Sequence, residues 1–398
     1  MKKLYISIYL ILISVSGFAQ WFALNSGIST DLFSVHFPTS NTGYASGMGT
    51  ILKTVNAGTN WTAQNSNTTC FLYSVFFADV NTGYAVGSYD PLDYNAKIIK
   101  TSNGGTTWTG QLSGLLYGTL RSVYFTDVNN GYAVGDNGAI IKTVNGGSNW
   151  TVLSSGTTNQ LYSVYFTSVD TGFAVGISGT ILKTTNAGAN WTAQTSGTVA
   201  SLNSVYFTDV NTGYIVGGAI LKTTDGGSNW NILSSTLSGY SVYFTDANTG
   251  YAVGGGLNIL KTSNGGINWT TQTSGTLSSL WSVYFTNADT GYAVGTMGTI
   301  LKTTNGGISF IEETKLPVSA ISIFPNPAND IINIEWNNAN NYPVEILIYD
   351  GFGKLLVKKD NVKSPYNINV SEYSNGIYFL QIKTTNKILN KKFIIQKL

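Results

Sequence analysis

Apolar and polar positions alternate with a period of two along most of this chain, in short runs that recur as a set. The set is clearest between Tyr162 and Gly197: Ser163-Val164-Tyr165-Phe166, then Gly172-Phe173-Ala174-Val175-Gly176, then Ile181-Leu182-Lys183-Thr184, then Trp191-Thr192-Ala193-Gln194. Each run is rich in Val, Ile, Thr or aromatics and is bounded by Gly, Asn or Asp, which predicts four short strands, A to D, joined by tight turns. No segment of this part sustains a helical period. The glycine–aromatic step of strand B falls at Tyr44, Tyr84, Tyr132, Phe173, Tyr214, Tyr251 and Tyr292, at spacings of 40, 48, 41, 41, 37 and 41 residues. A period near forty marks a propeller or array, because one unit alone cannot bury its apolar faces. Seven such units predict an all-β, seven-bladed β-propeller over residues 20–311.

Trp21-Phe22-Ala23-Leu24 matches strand D, yet no strands A to C precede it. The simplest account is ring closure, with this segment completing the blade begun at Trp281; the competing account makes Ser309–Glu313 that strand. Residues 1–19 read as a signal peptide, with Lys2 and Lys3, an apolar run too short to span a bilayer, and Gly17-Phe18-Ala19 for cleavage. No later stretch is a membrane-helix candidate.

The C–D corner Thr101-Ser102-Asn103-Gly104-Gly105-Thr106-Thr107-Trp108 resembles the Asp-box, or BNR repeat, of sialidases and related propellers. It recurs at Thr54–Trp61, Thr143–Trp150, Thr184–Trp191, Thr223–Trp230 and Thr262–Trp269, and in degraded form at Thr303–Phe310. Its physical role is a hairpin brace: an Asx side chain accepts turn N–H groups and the Trp buries a large face. The whole unit resembles the photosystem II stability and assembly-factor-like propellers. That resemblance implies a non-catalytic binding or assembly scaffold.

Chain direction puts the A–B and C–D links on one rim and the D–A and B–C links on the other. The first rim repeats in every unit. It carries Asp79, Asp127, Asp209 and Asp246, and the lysines Lys53, Lys100, Lys142, Lys183, Lys222, Lys261 and Lys302, which are expected to offset one another weakly. An anion-binding lysine ring is the sharper alternative. Runs such as Asp209-Val210-Asn211-Thr212-Gly213 read as hairpin turns, since no calcium-loop Glu follows. The second rim varies. The residues that open strand A there are Phe33, Tyr73, Arg121, Tyr162, Asn203, Tyr240 and Trp281, and they are expected to ring the channel mouth. Five aromatics, one Arg and one Asn suit a sugar or peptide ligand, or else simple inter-blade packing. Beside them the second unit's B–C link is longer, adding Tyr89, Asp90, Asp93 and Tyr94, and Leu115-Leu116-Tyr117 adds apolar surface.

Composition then narrows the chemistry. Charged residues are 10% and the net charge is +2, which gives no pull toward nucleic acid. Arg121 is the only Arg, and no Glu occurs from Gln20 to Ile311, so neither a sialidase arginine triad nor the usual pair of glycosidase carboxyls has its residues. His36 and Cys70 are the only His and Cys, so no His/Cys metal centre and no Ser-His-Asp triad is expected, and no cofactor. A reduced hydrolase site around Asp90 and Asp93 stays open as the alternative, as does an adhesin with no defined pocket.

After Phe310 the repeats stop and Lys becomes common. Residues 312–320 read as a linker and residues 321–398 as a small Ig-like β-sandwich, opening with the run Ile321–Glu335 and followed by strands at Val344–Tyr349, Lys354–Lys358, Tyr366–Val370, Gly376–Lys383 and Lys391–Gln396. Pro325-Asn326-Pro327, Ile348-Tyr349-Asp350 with Gly353-Lys354, Asn375-Gly376-Ile377-Tyr378-Phe379 and Lys392-Phe393 resemble, in order, the type A C-terminal sorting domain of the type IX secretion system. The resemblance implies that secretion machinery as a partner, a diderm bacterium, and delivery to the medium or the cell surface. The expected protein is a monomeric, non-enzymatic scaffold for an extracellular glycan or protein. Deleting residues 322–398 is expected to strand it in the periplasm, which fractionation and surface proteolysis would reveal.

Overall fold

The structure is a computed structural model that describes residues 20–89, 95–115, 117–235, 238–256, 258–307, 321–336, 344–351, 353–383 and 388–397. They fall into two compact units, one within Ala19–Ile308 and one within Ser309–Leu398. Neither unit has an α-helix among the described residues; two single 3-10 turns occur, at Asp136–Gly138 and Thr296–Gly298.

The first unit is seven four-stranded antiparallel sheets. Blade 4 shows the pattern, with Leu161–Phe166 innermost, then Gly172–Gly176, Ile181–Thr184 and Thr192–Gln194 outermost. The sheets follow one another round a ring: the inner strand Leu32–His36 packs against Leu72–Phe77 on one side and Leu280–Phe285 on the other. The glycine–aromatic strand is wholly buried in blade 4, as a middle strand sandwiched between neighbouring sheets must be.

Each inter-blade contact is an aromatic stack. The strand-B aromatic of one blade lies flat on the last Phe of the next blade's inner strand, as Tyr44 does on Phe77 at 3.7 Å between ring centroids. The Asp-box Trp of that next blade meets the same Phe edge-on, as Trp108 does at 6.0 Å. Gly105 of the box has φ +81, and a Cβ there would come within 2.9 Å of the Tyr44 ring, so the turn needs Gly for both its backbone and its closeness.

Blade 7 takes its outer strand from the chain's beginning. Phe22–Leu24 pairs with Ile300–Thr303, with Phe22 opposite Lys302 and Leu24 opposite Ile300. Trp21 is fully buried and meets Phe285 edge-on at 5.8 Å, the place filled by an Asp-box Trp in every other blade. The N-terminal account of ring closure therefore holds, and the degraded last box is explained: its Trp comes from elsewhere. The alternative strand and the signal peptide lie outside the described residues.

The second unit is a sandwich. One sheet holds Ile321–Phe324, Ile331–Trp336 and Tyr366–Asn369; the other orders Leu355–Val362, Val344–Tyr349, Gly376–Lys383 and Ile388–Ile395. Ile332, Ile334, Ile346, Ile348, Leu380 and Phe393 share one core between the sheets. Several bounds differ from the sequence expectation, and two of the differences have a visible cause. Lys354 belongs to a turn, where its N–H donates to Asp350 Oδ1. The last strand starts at Ile388 because the hairpin with Gly376–Lys383 extends the pairing to Lys383 opposite Ile388.

Replacing Trp21 with Ala is expected to cost about 3–5 kcal/mol, the range for emptying a buried indole site. Urea unfolding measured beside Trp191→Ala checks this: an unchanged midpoint for Trp21→Ala would remove the closing strand from the fold's support.

Candidate functional site

The rim of repeated turns is a set of inter-blade staples. Every repeat lysine donates from Nζ to a carbonyl of the next blade's Asp-box turn, from Lys53 on Gly104 O at 2.6 Å to Lys302 on Ala57 O at 2.8 Å. Each also lies over its own blade's strand-B ring, 5.3–5.7 Å from the centroid. The bonded partner is thus a carbonyl, and the acids act only at longer range: burial lowers the Lys261 pKa, and the charges of Asp289 and Asp246 counter it. The acids instead cap their own turns. Asn211 N–H and then Thr212 N–H bond Asp209 Oδ1, and the bond from Asn211 holds that carboxyl below the usual range. In the single box with Asp, Asn229 donates to Asp225 and pulls it down to about 2.

Neighbouring variable side chains touch in a line that runs from Tyr240 through Trp281, Phe33, Tyr73 and Arg121 to Tyr162. Strand A starts one residue earlier than expected, at Leu or Gly, and a bulge after it turns the variable residue toward the axis. Phe33 packs on Tyr73 at 5.0 Å and on Trp281 at 6.1 Å, and Trp281 stacks on Tyr240 at 4.4 Å. Arg121 lies between Tyr73 and Tyr162, 5.5 and 5.4 Å from their ring centroids. Its Nε donates to Asp136 Oδ1 at 2.7 Å in a half-buried ion pair. Asn203 Nδ2 donates to Gly239 O at 2.7 Å. All seven side chains are half-buried. Of these ring pairs Trp281–Tyr240 is stacked, Phe33–Tyr73 tilted and Phe33–Trp281 edge-on.

Asp136 also borders a surface groove of about 700 Å³ with Leu115, Tyr117, Asn137, Val152 and Thr157. The corner proposed from sequence is thus partly formed there, on the third blade. Tyr89 ends the strand Gly83–Tyr89 of the neighbouring blade. The Tyr89 side chain and Asp90, Asp93 and Tyr94 lie outside the described residues.

Two belts below the mouth are not evident from sequence. The inner-strand Ser of each blade accepts the N–H of the following Val position in the next blade, all the way round from Val75 on Ser34 to Val35 on Ser282, at 3.2–3.3 Å. One turn further down, His36, Phe76, Tyr124, Tyr165, Tyr206, Tyr243 and Tyr284 form a closed aromatic ring with centroids 4.8–5.4 Å apart. Several phenols brace the next blade, as Tyr124 does by donating to Phe166 O. The signal for both was present in the invariant Ser and aromatic of the X-S-V-Y-F run, read without its partner.

In the second unit the sorting motifs tie the last strand down. Ile394 N–H donates to Asn326 Oδ1 at 2.8 Å, and Ala328, just past Pro325 and Pro327, exchanges backbone bonds with Ile394 and Gln396. Lys397 N–H donates to Asn375 Oδ1, beside Gly376. Tyr378 stacks on Phe393 and donates to Ser374 O. Gly353 turns at φ +82 ahead of Lys354, and Lys392 lies exposed opposite Phe379.

Residues 322–396 match the Secretion system C-terminal sorting domain, and residues 111–195 and 148–240 match the Photosynthesis system II assembly factor YCF48 model. No curated protein matches the chain. Among solved structures the chain is similar to YCF48 bound to D1 peptide (20% identity, 72% of this chain and 98% of that one, TM-score 0.62). It is also similar to PorZ of Porphyromonas gingivalis, described as an essential surface component of the type-IX secretion system (12%, 92% and 60%, 0.56). A third is an ancestral GH74 enzyme (14%, 94% and 63%, 0.54). At these identities the likeness is one of fold. The chain therefore carries a propeller with BNR-type, YCF48-like repeats and a sorting domain, and it is exported by the type IX system to the exterior of a diderm cell.

His36 offers a test of the belt. Its Nδ1 is sealed from solvent without a partner, and burial lowers its pKa from 6.5 to about 4. Between those values the unfolded chain binds the proton and the folded chain does not. Stability is therefore full above pH 6.5 and falls as pH drops toward 4, by about 3 kcal/mol. Urea unfolding at several pH values checks it: His36→Tyr is expected to flatten the slope.

Proposed function

We propose that the propeller is a non-enzymatic binding scaffold, delivered outside the cell by its sorting domain, that takes an extracellular protein or glycan at the channel mouth. The observation that carries this is the mouth itself. The blades repeat almost everywhere, yet the residues that open the inner strands vary, with Phe33, Arg121, Asn203 and Trp281 set among the three tyrosines Tyr73, Tyr162 and Tyr240, which gives the mouth the aromatic and polar mix of a ligand site. A similar fold, YCF48, is described with a peptide bound, which gives the mode a precedent.

The residues argue against bond-breaking chemistry at this place. The lone arginine is committed to Asp136, so it is not free to grip a substrate carboxylate. A hydrolase reading therefore falls back on Asp90 and Asp93.

An array of glycans and peptides probed with the full chain tests the proposal. Binding is expected to drop at least about tenfold on Trp281→Ala or Tyr162→Ala, as for a central aromatic anchor. Unchanged binding would discard the mouth. Glycan turnover that disappears in Asp90→Asn/Asp93→Asn would replace the scaffold with an enzyme.

A further inference from the structure

Asparagine followed by glycine is chemically labile, because the glycine nitrogen can attack the Asn side-chain Cγ and no side chain of its own stands in the way. The step occurs seven times in this chain: at the box residues Asn103, Asn145, Asn264 and Asn305, and at Asn130, Asn137 and Asn375. Attack needs both atoms free, and the fold ties them down at six of the seven. Asn103 Oδ1 accepts from Thr101 Oγ1 at 3.0 Å and from Thr107 N–H at 2.9 Å, while Gly104 N–H donates to Asn81 O at 2.9 Å. The other three box asparagines accept from their own Thr, and Gly146, Gly265 and Gly306 donate to the preceding turn at 2.7–2.9 Å. Asn130 donates to Asp127 Oδ2 and Asn375 accepts Lys397 N–H, and in both cases the glycine opens a paired strand.

Asn137 is the exception among the described residues. It lies exposed on the turn Asp136–Gly138, and its side chain makes no hydrogen bond. Gly138 N–H makes none with the backbone, although the matching Gly179 of blade 4 donates to Ala200 O at 2.9 Å. One bond spans the turn, from Ala139 N–H to Asp136 O at 3.1 Å. Gly138 itself is fixed by closeness, since a Cβ there would lie 2.0 Å from Thr157 O. Asn137 is not fixed. Blades 4 and 7 hold Ser178 and Met297 at its place, at φ 55 and 56 against 56 for Asn137.

We propose that Asn137–Gly138 is a self-modification site, where the folded protein converts a side-chain amide into a carboxylate without an enzyme. Gly138 N gives up its proton to hydroxide and bonds Asn137 Cγ, and the side-chain nitrogen leaves as ammonia. Water then opens the five-membered imide at either carbonyl, which yields aspartate or its isoaspartyl isomer. One water is consumed and one ammonia released, with no oxidant or reductant. The turn opens for this at the expense of the bond across it, whereas a box has several bonds to break at once. The product puts a second carboxylate on the turn that carries Asp136, the partner of Arg121. That turn borders the groove on blade 3, so the variable face grows more acidic as the protein ages.

Peptide mapping of the full chain by mass spectrometry, after incubation at mildly alkaline pH, reads the conversion at each of the seven steps. An isoaspartyl methyltransferase assay marks the isomer. In the folded chain Asn137 is expected to convert at least about tenfold faster than the other six, the factor that one or two further hydrogen bonds withhold. In urea the lead is expected to vanish, because every step then has the same glycine and no partners. Asn137→Ser, the residue blade 4 carries, is expected to remove the leading product and leave the thermal midpoint in place. A box asparagine that keeps pace with Asn137 in the folded chain overturns the proposal, as does an Asn137 that stays intact until the chain unfolds. A lead that persists in urea overturns it too, since its cause would then lie outside the fold.

Discussion

A blade of this protein is incomplete by itself, and the missing part is always the next blade. Its inner Ser has an acceptor to offer, its strand-B aromatic has a face to cover, and its lysine has donors to place. All three are met by the following sheet: a Val N–H, a Phe ring and an Asp-box carbonyl. Each contact is modest. Repetition makes them decisive, because each sheet both gives and receives and a ring lets no sheet go without. The polar members matter as much as the apolar ones, since an inner-strand N–H left unbonded at the core would cost about 1–3 kcal/mol.

This explains what could be read in advance. The period, the strand order and the blade number follow from local patterns, and so does the closing segment, because Trp21 repeats the strand-D signature out of place. The partners of Lys53 or Ser34 do not follow, since they lie on a neighbouring unit and one of them is plain backbone. Charge counting found the acids that counter the lysines at longer range, as Asp246 does at Lys261, but not the carbonyls that the lysines bond. At the mouth the seven residues were legible as a set. Their mutual contacts were not, because these depend on where adjacent strands place successive rings.

The sorting module obeys a related logic on a smaller scale. Its motifs are far apart in sequence, near residues 326, 350, 376 and 392, and the fold gathers the first and third onto the final strand. Asn326 accepts the N–H of Ile394 in that strand, and Asn375 accepts the N–H of Lys397 just beyond it. The motifs therefore read as the means by which a signal at the end of the chain is held in shape for recognition. That gives a physical reason for their order, which no single motif carries.

The seam of the propeller has a further property. Six outer strands are joined to their neighbours by hairpins, whereas Phe22–Leu24 pairs with a strand from the far end of the propeller's sequence, with Phe22 opposite Lys302. Such a strand can peel away without bending a hairpin, and it regains chain entropy when it does. The durability of the whole wheel in the harsh surroundings outside a cell is thus governed by how firmly one indole is gripped at that latch.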